Sequence, residues 1–245
     1  MSVGADERAT DPHPEEPAGP GVALPERVVM RLQVVLTAAA GCLDVVCVTR
    51  LGGPFASVIT GNLVQLGWAI ATPDGRLAAD AMAAVGGYAV GVAAGTVPLR
   101  RCGPGWRRRT SLVMALEVML LAGVATGWLA AGAHPGRGST VLLLGLAAAA
   151  MGIQSAATIS SGVRGASTTY LTGTLTSVVR TVAVDPHRFG AGAGGAVRLV
   201  ALLCGATVCT LVLRVAPLWA PVLPAVLVAA VALLATRTLH RMEKP

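Results

Sequence analysis

Residues 53–67 read GPFASVITGNLVQLG and place Thr60, Gly61 and Asn62 in the middle of an apolar run. A second stretch, TTYLTGTLTSVV at residues 168–179, repeats the Thr-Gly pair at Thr172 and Gly173. Glycine inside a helix is less favourable than alanine by about 1 kcal/mol, so each pair predicts a weakened or broken helix. The two breaks fall at matching positions in the two halves of the chain, which predicts an internal repeat.

The composition around these stretches predicts a membrane protein. Of 245 residues, 54% are hydrophobic and 13% are charged, and the mean hydropathy is +0.69. A soluble globule needs more polar surface than this chain can supply. Aromatic residues make up only 3%, which suits helices that pack through small residues and not a β-barrel with aromatic girdles. The predicted fold class is therefore an all-α membrane protein.

The chain divides into a proline-rich, acidic tail at residues 1–26, predicted to be disordered and cytoplasmic, one transmembrane domain at 27–236, and a cytoplasmic tail at 237–245. Eight apolar segments lie within the domain. Each is near the roughly 20 residues that cross a hydrocarbon core. They run over 28–49, 55–72, 78–98, 111–131, 140–160, 166–183, 196–214 and 218–236.

The arginines decide how many segments cross, because cytoplasmic loops carry the excess of Lys and Arg. Eight crossings that start inside would put the cluster RRCGPGWRRR, residues 100–109, outside. Eight crossings that start outside would export the arginines at both termini. If 55–72 and 166–183 instead break or re-enter, only Arg50, Arg76, Arg137 and Arg214 remain outside. We therefore predict about six full transmembrane helices plus two broken or re-entrant helices, with both termini cytoplasmic.

Three full crossings per half place the second half upside down relative to the first. The repeat halves, about 28–131 and 140–236, are similar around GCLDVV from Gly41 and GIQSA from Gly152, with one gap before the Thr-Gly pairs. Inverted repeats with a broken helix in each half are typical of secondary transporters that bind their substrate at the midplane. The sequence therefore predicts two inverted repeats and a midplane site.

The same motifs resemble a known family. GCLDVV followed by F-x-x-x-x-TGN-x-x-x-LG, and later GIQSA followed by TTYLTGTLTS, are similar to the YoaK family of bacterial inner-membrane proteins, a domain of unknown function. The resemblance extends over nearly the whole chain after residue 28. It implies a multi-pass helical protein of the bacterial inner membrane and supplies no substrate.

Acidic residues inside the apolar segments are candidates for function. An ionised carboxylate at Asp44 costs at least about 2.5 kcal/mol unless it faces a cavity or a partner. Gln154 occupies nearly the corresponding place in the second half, so Asp44 and Gln154 are predicted as unlike substrate ligands of the two halves. Asp44 could instead reach the interface or accept a helix-terminal hydrogen bond. Asp44 and Glu117 are both candidates for proton coupling. Glu117 could instead pair with an arginine among residues 107–109.

The Thr-Gly pairs have two interpretations. In the functional one, a break at Gly61 and Gly173 exposes the N-terminal end of a half-helix, which favours anions or the carboxylate of a zwitterion. The polar side chains that would line this site are Thr60, Asn62, Thr172 and Thr174. In the structural one, the glycines let helices approach closely, as the stripe Gly86, Gly87, Gly91 and Gly95 predicts for the third segment.

These features predict a transporter or channel for a small molecule or ion in the bacterial inner membrane, with the lipid bilayer as its surroundings; a homo-oligomer is compatible with this. The alternative is a scaffold or assembly protein that packs through small-residue helix faces. An enzyme is not expected, because no nucleophile-base pair or paired carboxylates occur. The net charge of +7 comes from arginines clustered between apolar segments, so nucleic acid is not an expected partner. No cofactor or metal is expected either, since the histidines lie far apart in tails and loops.

Overall fold

The computed structural model describes residues 22–162, 171–184 and 189–244. Within these residues the chain is helical and has no strands. The helices are α1 Glu26–Arg50, α2 Ile59–Ala71, α3 Gly75–Leu99, α4 Arg108–Ala130, α5 Arg137–Ser160, α6 Leu171–Val184, α7 Phe189–Val215 and α8 Val222–Met242. A 3₁₀ turn at Pro217–Trp219 joins the last two. The predicted all-α class is confirmed.

Six of these helices are long and apolar enough to cross a membrane, namely α1, α3, α4, α5, α7 and α8. By contrast, α2 has 13 residues and α6 has 14. At 1.5 Å per residue each is about 20 Å long, which is short of a hydrocarbon core about 30 Å thick. The prediction of six long transmembrane helices is confirmed. The two remaining helices are short, but the predicted breaks at the Thr-Gly pairs are wrong: Gly61 and Gly173 lie within the first turns of continuous helices.

One end of the bundle carries residues 100–109 and is called the arginine-rich face here. The backbone N–H of Leu24 donates to the carbonyl oxygen of Trp106 at 2.9 Å, which fixes the start of α1 to this face. Gln33 near the start of α1 donates to the hydroxyl of Ser161, which follows α5. Thus α1 begins where α5 ends, and these two central helices run antiparallel.

The other end, called the opposite face, holds the end of α1 and the beginnings of α3 and α5. Gly52, just after α1, lies against the side chain of Asp80 in the second turn of α3. Asp80 in turn forms an ion pair at 2.6 Å with Arg137, the first residue of α5. Because α3 begins on the face where α1 ends, the segment that contains α2 leaves and returns on the same face.

The second half repeats this path from the other side. α5 ends on the arginine-rich face, and α7 begins there, since Gly194 and Arg198 line one cavity with Arg27 and Arg31 of α1. The segment that contains α6 therefore also begins and ends on one face. The indole of Trp128, near the end of α4, donates to the carbonyl of the residue that starts the 3₁₀ turn, so α7 ends on the opposite face. α8 then returns.

The two halves use the same helix contacts in exchanged order. The contact of α3 with α5 has its equivalent in the contact of α7 with α1. In the same way, α4 packs against α5 as α8 packs against α1. The short helix α2 lies on α3, as α6 lies on α7. α4 also packs against α8, so every long helix of one half contacts the other half. α1 and α5 are the most buried helices, with 67% and 72% of their apolar windows buried, so the core lies along these two helices.

Glycines at the helix crossings show the same correspondence in atomic contacts. A Cβ on Gly91 of α3 would overlap the carbonyl oxygen of Ala149 in α5. A Cβ on Gly205 of α7 would overlap the carbonyl oxygen of Ala38 in α1. Only glycine allows each pair of backbones to approach this closely.

The reciprocal contacts match as well. A Cβ on Gly152 of α5 would overlap the carbonyl oxygen of Tyr88 in α3, and one on Gly41 of α1 would overlap that of Leu202 in α7. Throughout both crossings, α1 residues correspond to α5 residues 111 positions later, and α3 residues to α7 residues 114 positions later. A chance similarity of helix packing would not preserve this register.

The described structure extends beyond the predicted apolar segments at both ends. Leu24, in the region predicted as a tail, is only 5% exposed, because its N–H is bonded to Trp106 and its side chain joins the core. α8 continues to Met242, past the predicted boundary at 236. The rest of the predicted N-terminal tail, residues 1–21, lies outside the described residues.

Candidate functional site

Asp44 holds the re-entrant segment of the first half in place. Its Oδ1 accepts hydrogen bonds from the backbone N–H groups of Ala56 at 2.8 Å and Ser57 at 2.9 Å. Its Oδ2 accepts a third from the Ser57 hydroxyl at 2.6 Å. The side chain is buried, and its hydrogen bonds all come from the loop before α2. Three donors from one loop satisfy the carboxylate and explain how an acid is tolerated at this position.

Asn62 closes the same loop from the other side. Its Oδ1 accepts from the backbone N–H of Phe55 at 2.8 Å, and its Nδ2 donates to the Phe55 carbonyl at 2.7 Å. The backbone N–H and the carbonyl of Phe55 are thereby both hydrogen-bonded within the segment, as backbone at membrane depth requires. Asn62 is fully buried, whereas Thr60, two residues before it, is exposed.

The hydrogen bonds of Asp44 determine which end of α2 lies deeper in the bundle. Asp44 precedes the last residue of α1 by six positions, so it lies about 9 Å below the end of that helix. Since Ser57 is bonded to Asp44, the chain descends to this depth over the irregular stretch 51–58 before α2 begins. α2 then rises to a short turn before α3. The N-terminal turn of α2, with Thr60, Gly61 and Asn62, points toward the membrane interior.

Gly61 is not a close-packing glycine. A Cβ placed on it would meet Val58 at 3.5 Å and Phe55 at 3.9 Å, and both belong to its own segment. Among the described residues, the three atoms nearest to that position therefore come from no other helix. The packing interpretation therefore does not account for Gly61, whereas it does account for Gly87, Gly91 and Gly95, whose Cβ atoms would press on α5. Gly86, in the same stripe, faces open space.

In the second half, Thr172, Gly173 and Thr174 are also the second to fourth residues of their helix. Residues 163–170, which precede α6, lie outside the described residues. A Cβ on Gly195 of α7 would lie 3.0 Å from the Thr174 methyl and 2.8 Å from Val178. The Thr-Gly turn of α6 thus lies beside the beginning of α7, as α2 lies beside α3.

Gln154 occupies the contact between the two central helices. It is fully buried, and its Nε2 donates to the carbonyl of Leu36 in α1 at 3.3 Å. In the register of the crossings, the residue that corresponds to Asp44 is Ser155, whose hydroxyl accepts from Tyr88 at 2.9 Å. The halves therefore place an acid and a hydroxyl at equivalent positions, with Gln154 one residue away.

A cavity of about 340 Å³ opens between α1 and α7 at the arginine-rich face. Three arginines line it, Arg27, Arg31 and Arg198, over an apolar floor. Gly194 forms part of its wall, and the next residue, Gly195, contacts the Thr-Gly turn of α6. Sequence reasoning used these arginines only for orientation; that Arg198 lies opposite Arg27 and Arg31 depends on which helices meet.

Glu117 lies apart from the residues described above, in the middle of α4. It is fully buried, and neither of its carboxylate oxygens has a hydrogen-bond partner among the described residues. The alternative pairing with an arginine of residues 107–109 is not formed. The structure thus brings Asp44 and Asn62 together on one loop and leaves Glu117, Gln154 and the α6 turn at separate places. Sequence reasoning missed Ser57, which supplies two of the three donors to Asp44.

Comparison with known proteins connects this arrangement to a family. The family model described as Protein of unknown function (DUF1275) matches residues 32–234. The UPF0700 transmembrane protein YoaK of Bacillus subtilis (strain 168) is 30% identical over 149 residues, which cover 60% of this chain and 64% of that protein. The match thus spans a little less than two thirds of this relative. No solved structure matches.

Proposed function

We propose that this chain, which belongs to the DUF1275 family of proteins of unknown function, carries a small anionic or zwitterionic solute across the membrane without converting it chemically. One observation supports this most. The segment that contains the short helix α2 leaves and returns on the opposite face, and the segment that contains the short helix α6 leaves and returns on the arginine-rich face. Paired half-helices of this kind form the substrate site in inverted-repeat transporters.

The charge of the half-helix ends supports an anionic group as the ligand. The N-terminal turn of α2 points inward and carries partial positive charge from its backbone N–H groups. Thr60 is exposed beside it, and Gly61 leaves the backbone uncovered. The correspondence between the halves assigns the same role to Thr172, Gly173 and Thr174 in α6. Gln154, at the separate contact between the two central helices, is a further polar group of the proposed pathway.

The arginine-lined cavity fits the mouth of such a pathway. Arg27, Arg31 and Arg198 raise the local concentration of anions at the arginine-rich face. The cavity wall adjoins the Thr-Gly turn of α6 through Gly194 and Gly195. A solute that enters here meets the α6 turn first.

We assign the arginine-rich face to the cytoplasm of a bacterial cell. Of the arginines and lysines that the structure describes, only Arg50, Arg76, Arg137 and Arg214 lie on the opposite face, and the excess of Lys and Arg marks the cytoplasmic side. Both described ends of the chain then lie in the cytoplasm, and the protein lies in the inner membrane.

Transport in proteoliposomes tests this function. The purified protein is reconstituted, and uptake of labelled chloride, phosphate, small carboxylates and amino acids is compared with that of empty vesicles. We expect protein-dependent uptake of at least one anion or zwitterion. In G61L a leucine side chain enters the inward end of α2 and removes the uptake. G67L is the matched control, since Gly67 is an exposed glycine of the same helix with nothing within 4 Å.

The result that contradicts this function is the absence of uptake for every solute, or equal uptake by G61L and G67L. A partner protein that copurifies in defined stoichiometry, together with no uptake, would favour the scaffold alternative. In that case the small-residue surfaces of the helices serve assembly.

A further inference from the structure

Glu117 is a carboxyl group without a partner inside the helix bundle. It is the tenth residue of α4, has no exposed surface, and neither oxygen accepts a hydrogen bond from any described residue. The buried residues one turn away on the same helix, Val113, Met114 and Leu121, are apolar. Asp44 differs in this respect, since three donors hold it.

The helices around α4 offer Glu117 no charge. α4 packs against α5 and α8, with smaller contacts to α3 and the 3₁₀ turn. Arg137 and Asp80 are paired with each other on the opposite face, and Tyr88 bonds Ser155. The other charged or titratable residues of these helices are Arg76, Arg108, Arg109, Arg237, His240 and Arg241, all exposed. None of them bonds Glu117.

An ionised carboxylate in such a place would have lost its water without gaining a donor, which is strongly unfavourable. The neutral acid needs no countercharge and fits the observed packing. Release of the proton therefore requires water to reach Glu117, so α4 must separate from a neighbouring helix. The charge of Glu117 and the packing of α4 are thus coupled.

The position of Glu117 relates this coupling to the whole bundle. α4 belongs to the first half and packs against α5 and α8 of the second half. We propose that Glu117 is the proton-binding site through which a proton gradient drives the exchange between inward-open and outward-open arrangements. The group binds one proton from water on one side as the carboxylic acid and releases it to water on the other. This inference rests on the proposed transport function.

A proton suits this site better than a metal cation. Calcium and magnesium need six or more oxygen ligands. The described residues contain no group of three or more His, Cys, Asp or Glu side chains that could hold a metal ion. A single carboxyl among apolar neighbours can bind a proton and nothing larger.

The first test does not depend on transport. Infrared spectra of the purified protein at neutral pH should contain the carbonyl band of a buried protonated carboxylic acid, and E117Q should lack it. E26Q is the control, because Glu26 is an exposed acid at the start of α1. A band that persists in E117Q, or no such band in the wild type, overturns the proposal. The wild-type spectrum alone decides this second case, whatever the stability of E117Q.

The second test measures coupling in proteoliposomes with the solute that shows uptake. An inward proton gradient should accelerate wild-type accumulation, and E117Q should lose this acceleration by about tenfold, within the usual range for coupling between two sites. A sodium gradient that accelerates uptake while a proton gradient does not would overturn the assignment. If no solute is transported at all, the proposed function fails, while the infrared test still decides the protonation of Glu117.

Discussion

At the residue scale, Asp44 is a buried acid whose role is structural, because it binds the loop before α2. An acid in a transmembrane helix is a candidate for function by default, because its burial is expensive. Here three hydrogen bonds from Ala56 and Ser57 offset that cost and attach the re-entrant loop to α1. Asp44 therefore positions the loop and the inward end of α2. Glu117 has no such donors, which separates the two acids that the sequence treats alike.

The hydrogen bonds of Asp44 lead to a prediction about stability. D44A leaves two backbone N–H groups and the Ser57 hydroxyl buried without an acceptor, so we expect a loss of about 3 kcal/mol in the free energy of unfolding. The measurement is chemical unfolding in detergent micelles. D74A is the control: Asp74 accepts two backbone N–H bonds but is exposed at the start of α3. A helix cap of this kind contributes only about 1 kcal/mol. Equal losses in the two variants would contradict the role of Asp44.

At the element scale, the short length of α2 follows from where its ends are fixed. The loop before it is bonded to Asp44 within the membrane, and the turn after it leads into α3. The sequence predicted an interruption at Thr60, Gly61 and Asn62 from polar residues in an apolar run. The irregular backbone lies just before them, at residues 51–58, and Asn62 stabilises it by bonding Phe55.

The path of α2 predicts which positions can be labelled from each side. In a variant without the five native cysteines, single cysteines at Arg50, Thr72 and His134 should react with an impermeant maleimide from the same side. A cysteine at position 102 or at Glu243 should react only from the other side. All five positions are at least partly exposed. If α2 crossed the membrane, residues 50 and 72 would react from different sides.

The ion pair of Asp80 and Arg137 ties two elements together at the opposite face. Asp80 is nearly buried, and Arg137 also donates to the carbonyl oxygen of Arg76. The sequence gives no sign of this pair, because 57 positions separate its members. It fixes the parallel register of α3 and α5, from which their glycine contacts follow.

At the scale of the whole molecule, the two halves share a register of contacts. Gly91 and Gly205 occupy equivalent crossings, and each approaches a backbone carbonyl so closely that a side chain cannot fit. The matched Thr-Gly turns at the beginnings of α2 and α6 agree with a chain built from two related halves. Equivalent positions should therefore respond equally to substitution.

This equivalence gives a prediction. G91A and G205A should each lower the free energy of unfolding by about 1–3 kcal/mol, because an added methyl group forces two helix backbones apart. G86A is the control, since a Cβ at Gly86 meets nothing within 4 Å. Unfolding in detergent micelles measures all three. A large loss in only one of the two crossing variants would contradict the equivalence of the halves.

The sequence by itself determined the fold class, the number of crossings and the two short helices. These depend on hydropathy, on segment length and on the distribution of arginines, which are properties of local stretches and need no knowledge of which helices meet. The motifs at Gly41 and Gly152 also indicated the repeat, because both halves keep the glycines that their crossings require.

Only the tertiary structure decided what the buried polar residues do. Asp44 and Glu117 are both acids in apolar helices, and their difference depends on whether a distant segment supplies donors. The same holds for the arginine-lined cavity, which forms where α1 meets α7. Hydrogen bonds and helix crossings are pairwise properties of residues far apart in the chain, so they follow from the packing and not from any single stretch of sequence.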